Sequence, residues 1–564
     1  MSGVAPTSGL AGALAAAVGF FSADRLAEAE QSCHAILQAH PHSFDALHLL
    51  AVLRCRQGDF AGGLGYFDRA LAIDAGAHDA LANRGNALLA LGRFGEAVDS
   101  LDAALAQQPD NPDLLNNRGN ALQAMKRYGE ALASYESALA LRPRHAGLLK
   151  NRGNALAALG RFEPALASYE RALQVQPEDI GALNNRGGVL RILSRLDEAL
   201  ACYDQALALM PAHAETLSNR GNALHALRRV DEAIACYGQA LALQPDYADA
   251  HWNLGLALLV KGELAAGWKE YEWRWKLAES PGGRNIPAPL WHGHEDLRGK
   301  TILLHAEQGL GDTLQFCRYV TLVQARGAIV ILEVDAALKS LLASLAGVTK
   351  IVVFGDALPP CDYHCPLLSL PLAFATTLET IPAGIPYLYA EPAAIAHWQK
   401  KLGQKRLPRI GIAWSGNPAQ AKDRNRSLPL EAIEPLLALP LQFVCLQKEI
   451  RTGDAQALER HAQLLHFESE IGDFGDTAAL VEACDLVIAV NSVVAHLAGA
   501  MGKAVWIPLA FVPDWRFLLD REDSPWYPGA RLFRQSRPGQ WDDVVARMVA
   551  EIRERWMDKS GLRT

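Results

Sequence analysis

The chain has 564 residues, of which 50% are hydrophobic, and 54 basic and 62 acidic residues give it a formal net charge of -8. This length exceeds what one hydrophobic core usually serves, so we expect two or three folded domains and little disorder. The charges of both signs are well mixed, which leaves no basic surface for nucleic acid or for an anionic membrane; we therefore expect neither as a partner.

The N-terminal segment from Met1 to Phe21 is apolar, lacks a basic start and continues directly into a helical repeat. We therefore expect neither a signal peptide nor a membrane span, and a cytoplasmic location. The 9 cysteines are an odd number spread along the chain, which favours reduced thiols over a disulfide framework. His364 lies between Cys361 and Cys365, but no second ligand pair with zinc-finger spacing accompanies them, so we predict no metal site.

A motif with the letters NRGNAL recurs through the first half of the chain with a period of 34 residues. Gly, Ala, Tyr and Pro recur at the same period, which is typical of tetratricopeptide repeats, each a pair of antiparallel helices. The small residues let the two helices approach closely, and Pro ends the second helix before the next repeat. Weaker copies extend the pattern at both ends, so we assign residues 1–279 to a tetratricopeptide superhelix, an α-solenoid.

One asparagine per repeat occupies the same position on the first helix of each pair, and first helices line the concave face of such a solenoid. An amide side chain both donates and accepts hydrogen bonds, so it matches a peptide unit of an extended guest chain whatever its sequence. The pattern resembles the superhelix of O-GlcNAc transferase, whose asparagine ladder holds substrate polypeptides. An alternative is that these amides only tie neighbouring helices together. The predicted acceptor-binding ladder consists of Asn83, Asn117, Asn151, Asn185, Asn219 and Asn253.

Beyond the repeats, residues 279–289 are rich in Gly and Pro and predict a linker. Short apolar runs separated by helical stretches then predict two successive parallel α/β units, which are Rossmann-like lobes. We place the first lobe at 285–395 and the second, with a terminal helix, at 405–564; the ligand cleft is expected between them, at the carboxyl ends of the strands. The predicted strands are Thr301–His305, Ala328–Val334, Ile351–Phe354, Ile410–Trp414, Phe443–Leu446, Leu486–Val490 and Ala504–Leu509.

The stretch TILLHAEQGLGDTLQF predicts a strand, a glycine-containing loop and a helix that begins at Asp312. Glycine in such a loop lets the backbone approach a ligand closely, and the start of a helix presents free N–H groups to an anion. Asp at a helix start is usually a cap, so the motif alone leaves open whether Asp312 caps the helix or takes part in catalysis.

Three strand ends of the second lobe also carry polar residues, in the motifs WSGN, QKE and NSVVAH. Basic residues that follow WSGN lie within reach of a diphosphate, and the carboxylate of QKE is suited to ribose hydroxyls. Convergence of several strand ends favours a binding site over separate structural roles. The predicted donor-binding residues are Gly311, Ser415, Gly416, Asn417, Lys422, Arg426, Gln447, Lys448, Glu449, Asn491, Ser492 and His496.

On these motifs, residues 290–540 resemble the ADP-heptose lipopolysaccharide heptosyltransferase family, glycosyltransferase family nine, in the divergent branch fused to tetratricopeptide repeats. The resemblance implies a GT-B fold, an inverting reaction, and a nucleotide-sugar co-substrate without a metal or other cofactor. In that family the Asp of the GLGD loop is the general base, so Asp312 inherits the role; WSGN matches the phosphate loop, QKE the ribose carboxylate and NSVVAH the donor-binding turn. The family usually has Asp where this chain has Asn491, which leaves the sugar open.

The segment FVPDWRFLLDREDSPWYP is typical of the repeat-fused branch, some of whose members glycosylate flagellins in the cytoplasm. We therefore expect a glycosyltransferase that moves a sugar to Ser or Thr of a protein held by the repeats, with Asp312 as the base. One alternative keeps this chemistry but uses a glycan acceptor, with the repeats as a recruitment module. Another is a repeat scaffold without turnover, for which Asn491 is the main support.

Overall fold

The structure is a computed structural model that describes residues 7–278, 286–418 and 423–557. The chain divides into two compact units, Met1–Ala223 and Leu224–Thr564. The division does not coincide with the predicted end of the repeats at residue 279, because the last repeat helices pack in the same unit as the two sheets. The predicted linker falls largely on residues 279–285, which lie outside the described residues.

Paired α-helices of tetratricopeptide type make up the repeat region. Where the first helix of a repeat meets the second, a glycine faces a tyrosine: a Cβ added at Gly119 would lie 2.5 Å from the Tyr135 ring, and Gly153 faces Tyr169 in the same way. Only glycine fits there, which explains why both residues recur together. The helices are α1 Thr7–Ser22, α2 Leu26–Ala39, α3 Phe44–Arg56, α4 Phe60–Leu71, α5 His78–Ala90, α6 Phe94–Leu105, α7 Pro112–Ala124, α8 Tyr128–Leu141, α9 Ala146–Ala158, α10 Phe162–Val175, α11 Ile180–Ile192, α12 Leu196–Leu209, α13 Ala214–Ala226, α14 Val230–Leu243, α15 Ala248–Lys261 and α16 Leu264–Tyr271.

Within the second unit, the end of the repeat region is anchored to the α/β region. The indole N–H of Trp268 in α16 is buried and donates a 3.0 Å hydrogen bond to the carbonyl of Thr376. Trp268 also packs edge-on against Trp515, with 5.2 Å between ring centroids. A 3₁₀ turn at Glu272–Lys276 follows α16 and brings the buried Arg274 against the first lobe. The last repeat helix is therefore part of the core of this unit.

The first sheet has four parallel strands in the order β3-β2-β1-β4. Three of them agree with the predicted strands to within one residue at each end. The fourth, β4, was not predicted; it contains His364 and Cys365, and Cys365 is buried in this strand. The elements are β1 Thr301–His305, α17 Leu310–Phe316, α18 Val320–Ala325, β2 Ile329–Val334, α19 Lys339–Leu342, β3 Lys350–Val353, β4 Tyr363–Pro366 and α20 Leu370–Ala373.

The second sheet has six parallel strands in the order β10-β9-β8-β5-β6-β7, and two of these, β7 and β10, were not predicted. The segment expected to join the lobes contains α21, whose Trp398 indole donates a 2.9 Å hydrogen bond to Asp476 in α25. The elements are α21 Pro392–Leu402, β5 Arg409–Ala413, α22 Asp423–Arg426, α23 Glu434–Leu437, β6 Gln442–Cys445, α24 Thr452–Arg460, β7 Leu464–Leu465, α25 Phe474–Glu482, β8 Leu486–Ala489, α26 Val493–Ala500, β9 Val505–Leu509, β10 Ala530–Arg534 and α27 Asp542–Trp556.

Candidate functional site

The loop after β1 meets helix α26 of the second sheet at Gly311. A Cβ added at Gly311 would lie 2.8 Å from Cδ2 of His496 and 3.5 Å from its Nε2, so a larger residue at 311 would displace the histidine ring. The GLGD loop and the NSVVAH turn, which are far apart in sequence, therefore lie side by side. This contact is the first evidence that the predicted site residues of the two lobes converge.

Both carboxylate oxygens of Asp312 are engaged. Helix α17 begins at Leu310 with Gly309 as its N-cap, so the prediction that it begins at Asp312 is wrong by two residues, and Asp312 takes the third helical position. Oδ2 accepts a 2.9 Å hydrogen bond from the N–H of Gly309, as the third residue of a capping box does. Oδ1 accepts a hydrogen bond from Nη2 of Arg516. Burial raises the pKa of Asp312; Arg516 opposes this rise and Asp514 adds to it. The structure thus shows the capping role, while the catalytic role stays a prediction.

His496 is buried and lies against Gly311, the residue before Asp312. Its Nδ1 is 2.9 Å from the hydroxyl of Tyr527. Burial lowers the pKa of His496 to about 3, and the positive charges of Arg516 and Arg426 contribute to the decrease. At neutral pH the imidazole is therefore uncharged, and it is suited to hydrogen bonding rather than to charge compensation.

Arg426, from the loop after β5, belongs to the same electrostatic environment. Its charge opposes the raised pKa of Asp312 and contributes to the lowered pKa of His496. Arg426 also packs on the WSGN loop, because a Cβ added at Gly416 would lie 2.7 Å from its Nη2. The loop predicted to hold phosphate and the predicted base therefore share one cationic neighbour.

Gln447 organises the start of the WSGN loop. Its Oε1 accepts hydrogen bonds from the N–H groups of Trp414 at 2.6 Å and Ser415 at 2.9 Å, and its Nε2 donates to Ser415 Oγ at 2.9 Å. The predicted donor residues Gln447 and Ser415 thus bind one another in this structure, and Gln447 sets the path of the loop.

Asp423 is a buried carboxylate that pairs with two arginines next to the WSGN loop. The side chain is 5% exposed and pairs with Arg426 Nε at 3.3 Å and with Nη2 of Arg451. Arg451 also donates to the carbonyl of Gly416 at 3.0 Å. Arg451 was not predicted, although its position two residues after the QKE motif was an available signal. Of the predicted residues here, Lys422 lies outside the described residues.

The remaining predicted donor residues follow strands of the second sheet. Lys448 is exposed and donates to the carbonyl of Gly472 at 2.8 Å. Glu449 and Asn417 are exposed, and Asn491 is half-buried. Ser492 is 9% exposed, and among the described residues its hydroxyl has no hydrogen-bond partner.

The asparagine ladder joins neighbouring repeats. Asn151 Nδ2, for example, donates to Asn116 Oδ1 at 3.0 Å and to Asn120 Oδ1 at 3.1 Å, both in the preceding repeat. These contacts agree with the alternative interpretation of the ladder, and acceptor binding stays a prediction. All six ladder residues are half-buried, and the other contacts between first helices are Asn83 to His48 at 3.1 Å, Asn117 to Asn86 at 2.7 Å, Asn185 to Asn154 at 2.8 Å and Asn219 to Asn184 at 3.1 Å.

Glu307, on the same loop as Asp312, is held by a buried arginine. Arg274 donates from Nε to Glu307 Oε2 at 3.0 Å and from Nη2 to Oε1 at 2.9 Å, and the two side chains are 5% and 6% exposed. The N–H of Leu368 also donates to Oε1 at 3.2 Å. This carboxylate is committed to holding the loop against the end of the repeat region.

Among the described residues, neither a group that could hold a metal ion nor a helix that could cross a membrane is found. In 7–278, 286–418 and 423–557, no group of three or more His, Cys, Asp and Glu side chains is arranged to hold a metal ion. No helix within those same ranges is both long and apolar enough to cross a membrane. Neither observation tests the predicted independence from metal.

Known proteins match the chain mainly through its repeats. A tetratricopeptide repeat protein from Parabacteroides merdae is 17% identical, with a TM-score of 0.37 over 44% of this chain and 98% of its own. A thermophilic TPR protein from Thermus thermophilus is 29% identical, with a TM-score of 0.29 over 32% of this chain and 100% of its own.

A curated relative, Protein FlbA of Caulobacter vibrioides, is 29% identical over 333 residues, which are 53% of this chain and 54% of the relative. The chain therefore spans about half the length of that relative.

Protein families described as TPR repeat or tetratricopeptide repeat match residues 14–80, 85–126, 110–178, 187–228 and 221–262. These matches cover the helix pairs in both compact units and agree with the period of 34 residues found in the sequence. The chain therefore contains an array of tetratricopeptide repeats, followed by a region of two parallel sheets.

Proposed function

We propose that the chain is an inverting, metal-independent glycosyltransferase of GT-B fold that moves a sugar from a nucleotide sugar to a Ser or Thr hydroxyl of a protein acceptor. The observation that carries this proposal is the contact of Gly311, the residue before Asp312, with His496, where the loop after β1 meets helix α26; the charge of Arg426 acts on both the Asp312 carboxyl and the His496 imidazole. A carboxylate beside cationic and hydrogen-bonding groups, at strand ends of two parallel sheets, is suited to base-assisted transfer of a group from an anionic leaving group.

In the proposed reaction, the acceptor hydroxyl attacks the anomeric carbon while Asp312 removes its proton. The bond between the sugar and the diphosphate breaks in the same displacement, so the configuration at the anomeric carbon inverts. Burial raises the pKa of Asp312, which brings its proton affinity closer to that needed at neutral pH. When the bond breaks, the diphosphate of the leaving nucleotide gains a negative charge. Arg426, next to the WSGN loop, supplies positive charge that stabilises it.

The donor is proposed to lie mainly on the second sheet. Gln447 fixes the backbone of the WSGN loop, and the unpartnered hydroxyl of Ser492 lies at the start of helix α26, where N–H groups favour an anion. The carboxylate of Glu449 is exposed and makes no hydrogen bond to a described residue, so it is available for ribose hydroxyls. The sugar and the base of the nucleotide stay open.

Isothermal titration with a panel of sugar nucleotides tests donor binding, and intact mass spectrometry of co-expressed acceptor proteins tests transfer. We expect one nucleotide-sugar class to bind and the acceptor to gain the mass of a sugar; flagellin is the first acceptor to test, and the site of action is proposed to be the cytoplasm. The rate should be unchanged by EDTA. The proposal fails if no sugar nucleotide binds, and its metal independence fails if EDTA abolishes activity that added metal restores.

A second candidate is a glycan acceptor, with the repeats as a recruitment module. It is favoured by the ladder contacts, because the amide N–H groups of Asn117, Asn151 and Asn185 are already used between repeats. Donor binding and turnover without any sugar on protein would support this candidate. Absence of both donor binding and turnover would leave a repeat scaffold.

A further inference from the structure

Arg516 lies at the centre of the contacts around Asp312. It belongs to the short 3₁₀ turn Trp515–Phe517, and its side chain is 8% exposed. Nη2 donates to Asp312 Oδ1, Nη1 donates to Asp514 Oδ1 at 2.9 Å, and Nε donates to Gln315 Oε1 at 2.6 Å. The guanidinium carbon lies 4.2 Å from the centroid of the Trp515 ring. Every side of this guanidinium is therefore fixed by a described residue.

The arginine is permanently charged. Its two carboxylate partners raise the pKa of Arg516 above its ordinary range although burial opposes the rise. A guanidinium in such a position binds through a rigid fork, so it defines the orientation of its partners as well as their charge. One N–H on each oxygen still leaves lone pairs on the Asp312 carboxylate for an acceptor hydroxyl.

We propose that Arg516 is a positioning residue for Asp312: it holds one carboxylate oxygen while the Gly309 N–H holds the other, and it keeps the buried carboxylate ionised and aimed at the acceptor hydroxyl. This rests on the proposed function, in which Asp312 is the base. Arg516 acts through Asp312, and it takes no proton itself.

Five titratable or charged groups from the surrounding elements bear on Asp312. Arg516 and Arg426 lower the pKa of the carboxyl, and Asp514 raises it. Two further neighbours are neutral at ordinary pH: burial raises the pKa of Tyr271, and burial lowers that of His496 to about 3. Removing the charge of Arg516 should therefore raise the pKa of Asp312, whereas removing the charge of Asp514 should lower it.

The first test compares pH profiles of kcat/KM for the wild type, Arg516→Gln and Asp514→Asn in the full chain. The acid limb should move to higher pH in Arg516→Gln, by about one unit or more, the usual effect of a lost opposite charge at contact distance. In Asp514→Asn it should move to lower pH, and Asn can still accept the N–H of Arg516 that Asp514 now caps. Arg516→Lys should keep the limb near the wild-type position but lower kcat, because an ammonium lacks the fork.

The second test does not need turnover. A carboxyl whose folded pKa is raised contributes stability that is present at acid pH and lost as pH rises through the folded pKa. In Arg516→Gln this loss should be larger and extend to higher pH, measured as Tm against pH. The extra loss should shrink when Asp312→Asn is added and vanish when Asp514→Asn is added as well, because Arg516 then has neither of its carboxylate partners. If Arg516→Gln does not fold, the same cycle is run with Asp514→Asn, for which the loss should be smaller than in the wild type.

The outcomes separate the two proposals. Two results together support Arg516 as the positioning residue. The acid limb shifts in opposite directions in Arg516→Gln and Asp514→Asn, and the effect of Arg516→Gln on Tm depends on whether Asp312 is present. Coincident pH profiles in an active enzyme, or Tm effects of Arg516 and Asp312 substitutions that are independent of each other, overturn it. Coupling in the Tm cycle without turnover on any donor in the wild type would refute the proposed function and, with it, the positioning role, but would confirm the contact.

Discussion

Ion pairs differ between the repeats and the α/β region. In the repeats, arginines on first helices pair with carboxylates that are half-exposed, as in Arg152 and Glu136, which are 24% and 50% exposed at 3.0 Å. Where the end of the repeats packs on the α/β region, Arg274 and Glu307 pair at 2.9 Å with only 5% and 6% exposed; within the α/β region, Arg516 and Asp312 are 8% and 20% exposed. Exposed pairs contribute little and are screened by salt, whereas a buried pair that loses one partner leaves an uncompensated charge. Equal substitutions should therefore have unequal effects in the two regions.

The largest effect is expected from Arg274→Met. The substitution leaves the buried carboxylate of Glu307 without its bidentate partner, and we expect a loss of about 3–5 kcal/mol in the free energy of unfolding. Urea denaturation followed by tryptophan fluorescence measures it, because all 12 tryptophans lie in the second compact unit. The matched control, Arg152→Met in the repeats, is followed by far-UV circular dichroism because residues 1–223 contain no tryptophan, and it should cost under about 1 kcal/mol. Equal losses in both variants would contradict the comparison.

Asp312→Asn should separate the chemical role of this residue from its structural one. Asn can accept the Gly309 N–H that Asp312 accepts now, but it cannot take a proton. We expect nearly unchanged thermal stability and donor affinity, with a fall in turnover of about a hundredfold or more. The exposed Asp102, which pairs with Arg118 in the repeats, provides the control Asp102→Asn, for which turnover should be unchanged. Turnover of Asp312→Asn close to wild type would leave Asp312 as a cap only.

Glu449→Ala should lower nucleotide-sugar affinity by about tenfold, the size of one or two hydrogen bonds to a carboxylate. Stability should not change, because the side chain is exposed and binds no described residue. Isothermal titration measures the affinity, and Glu482→Ala, an exposed carboxylate paired with Lys503, serves as the control. Identical affinities in Glu449→Ala and the wild type would refute the ribose assignment.

The smallest effect is expected in the asparagine ladder. Replacing Asn151 and Asn185 with Ala should lower transfer to a full-length protein acceptor by about severalfold, since each lost hydrogen bond is worth about 1 kcal/mol, and leave donor affinity unchanged. A matched variant replaces Asn120 and Asn154, which accept the ladder hydrogen bonds. This control removes the contacts of Asn151 with Asn120 and of Asn185 with Asn154 but keeps the ladder amides. If both variants lose transfer equally, the ladder is structural.

The repeats could be predicted from sequence because each contact recurs along the chain: a glycine at 119 or 153 always meets a tyrosine 16 positions later in the numbering. Strands that are continuous apolar runs were also predicted, because such a run can be recognised from neighbouring residues alone. The missed strands lack that character: β4 contains His364 and Pro366, β10 carries arginines at two positions, and β7 has only two residues.

The candidate site was predictable only in part. Strand-end motifs identified Asp312 and His496 as candidates, because polar residues after buried strands are a local signal. The partner of Asp312 is 204 positions away, and no local pattern connects residues at that distance. The same holds for Arg451, whose contact with Asp423 depends on the path of a loop. The segment that contains Arg516 is typical of the repeat-fused branch of the resembled glycosyltransferase family. Nothing in that segment predicts which residue the arginine contacts.

The division of the chain between Ala223 and Leu224 has a consequence for how repeat number can vary. Repeats stabilise one another through nearest neighbours, so removing one complete period from the first unit brings together the same kind of asparagine contact that joins neighbouring repeats now. A shortened or lengthened array should therefore fold and keep the α/β region intact. The repeat residues after 224 do not allow such exchange. Trp268 is hydrogen-bonded to Thr376 and Arg274 is paired with Glu307, so both are packed against the α/β region. Variation in the number of repeats should accordingly be confined to the N-terminal side of that division. There it changes the length of the repeat array and leaves the residues of the candidate site unchanged.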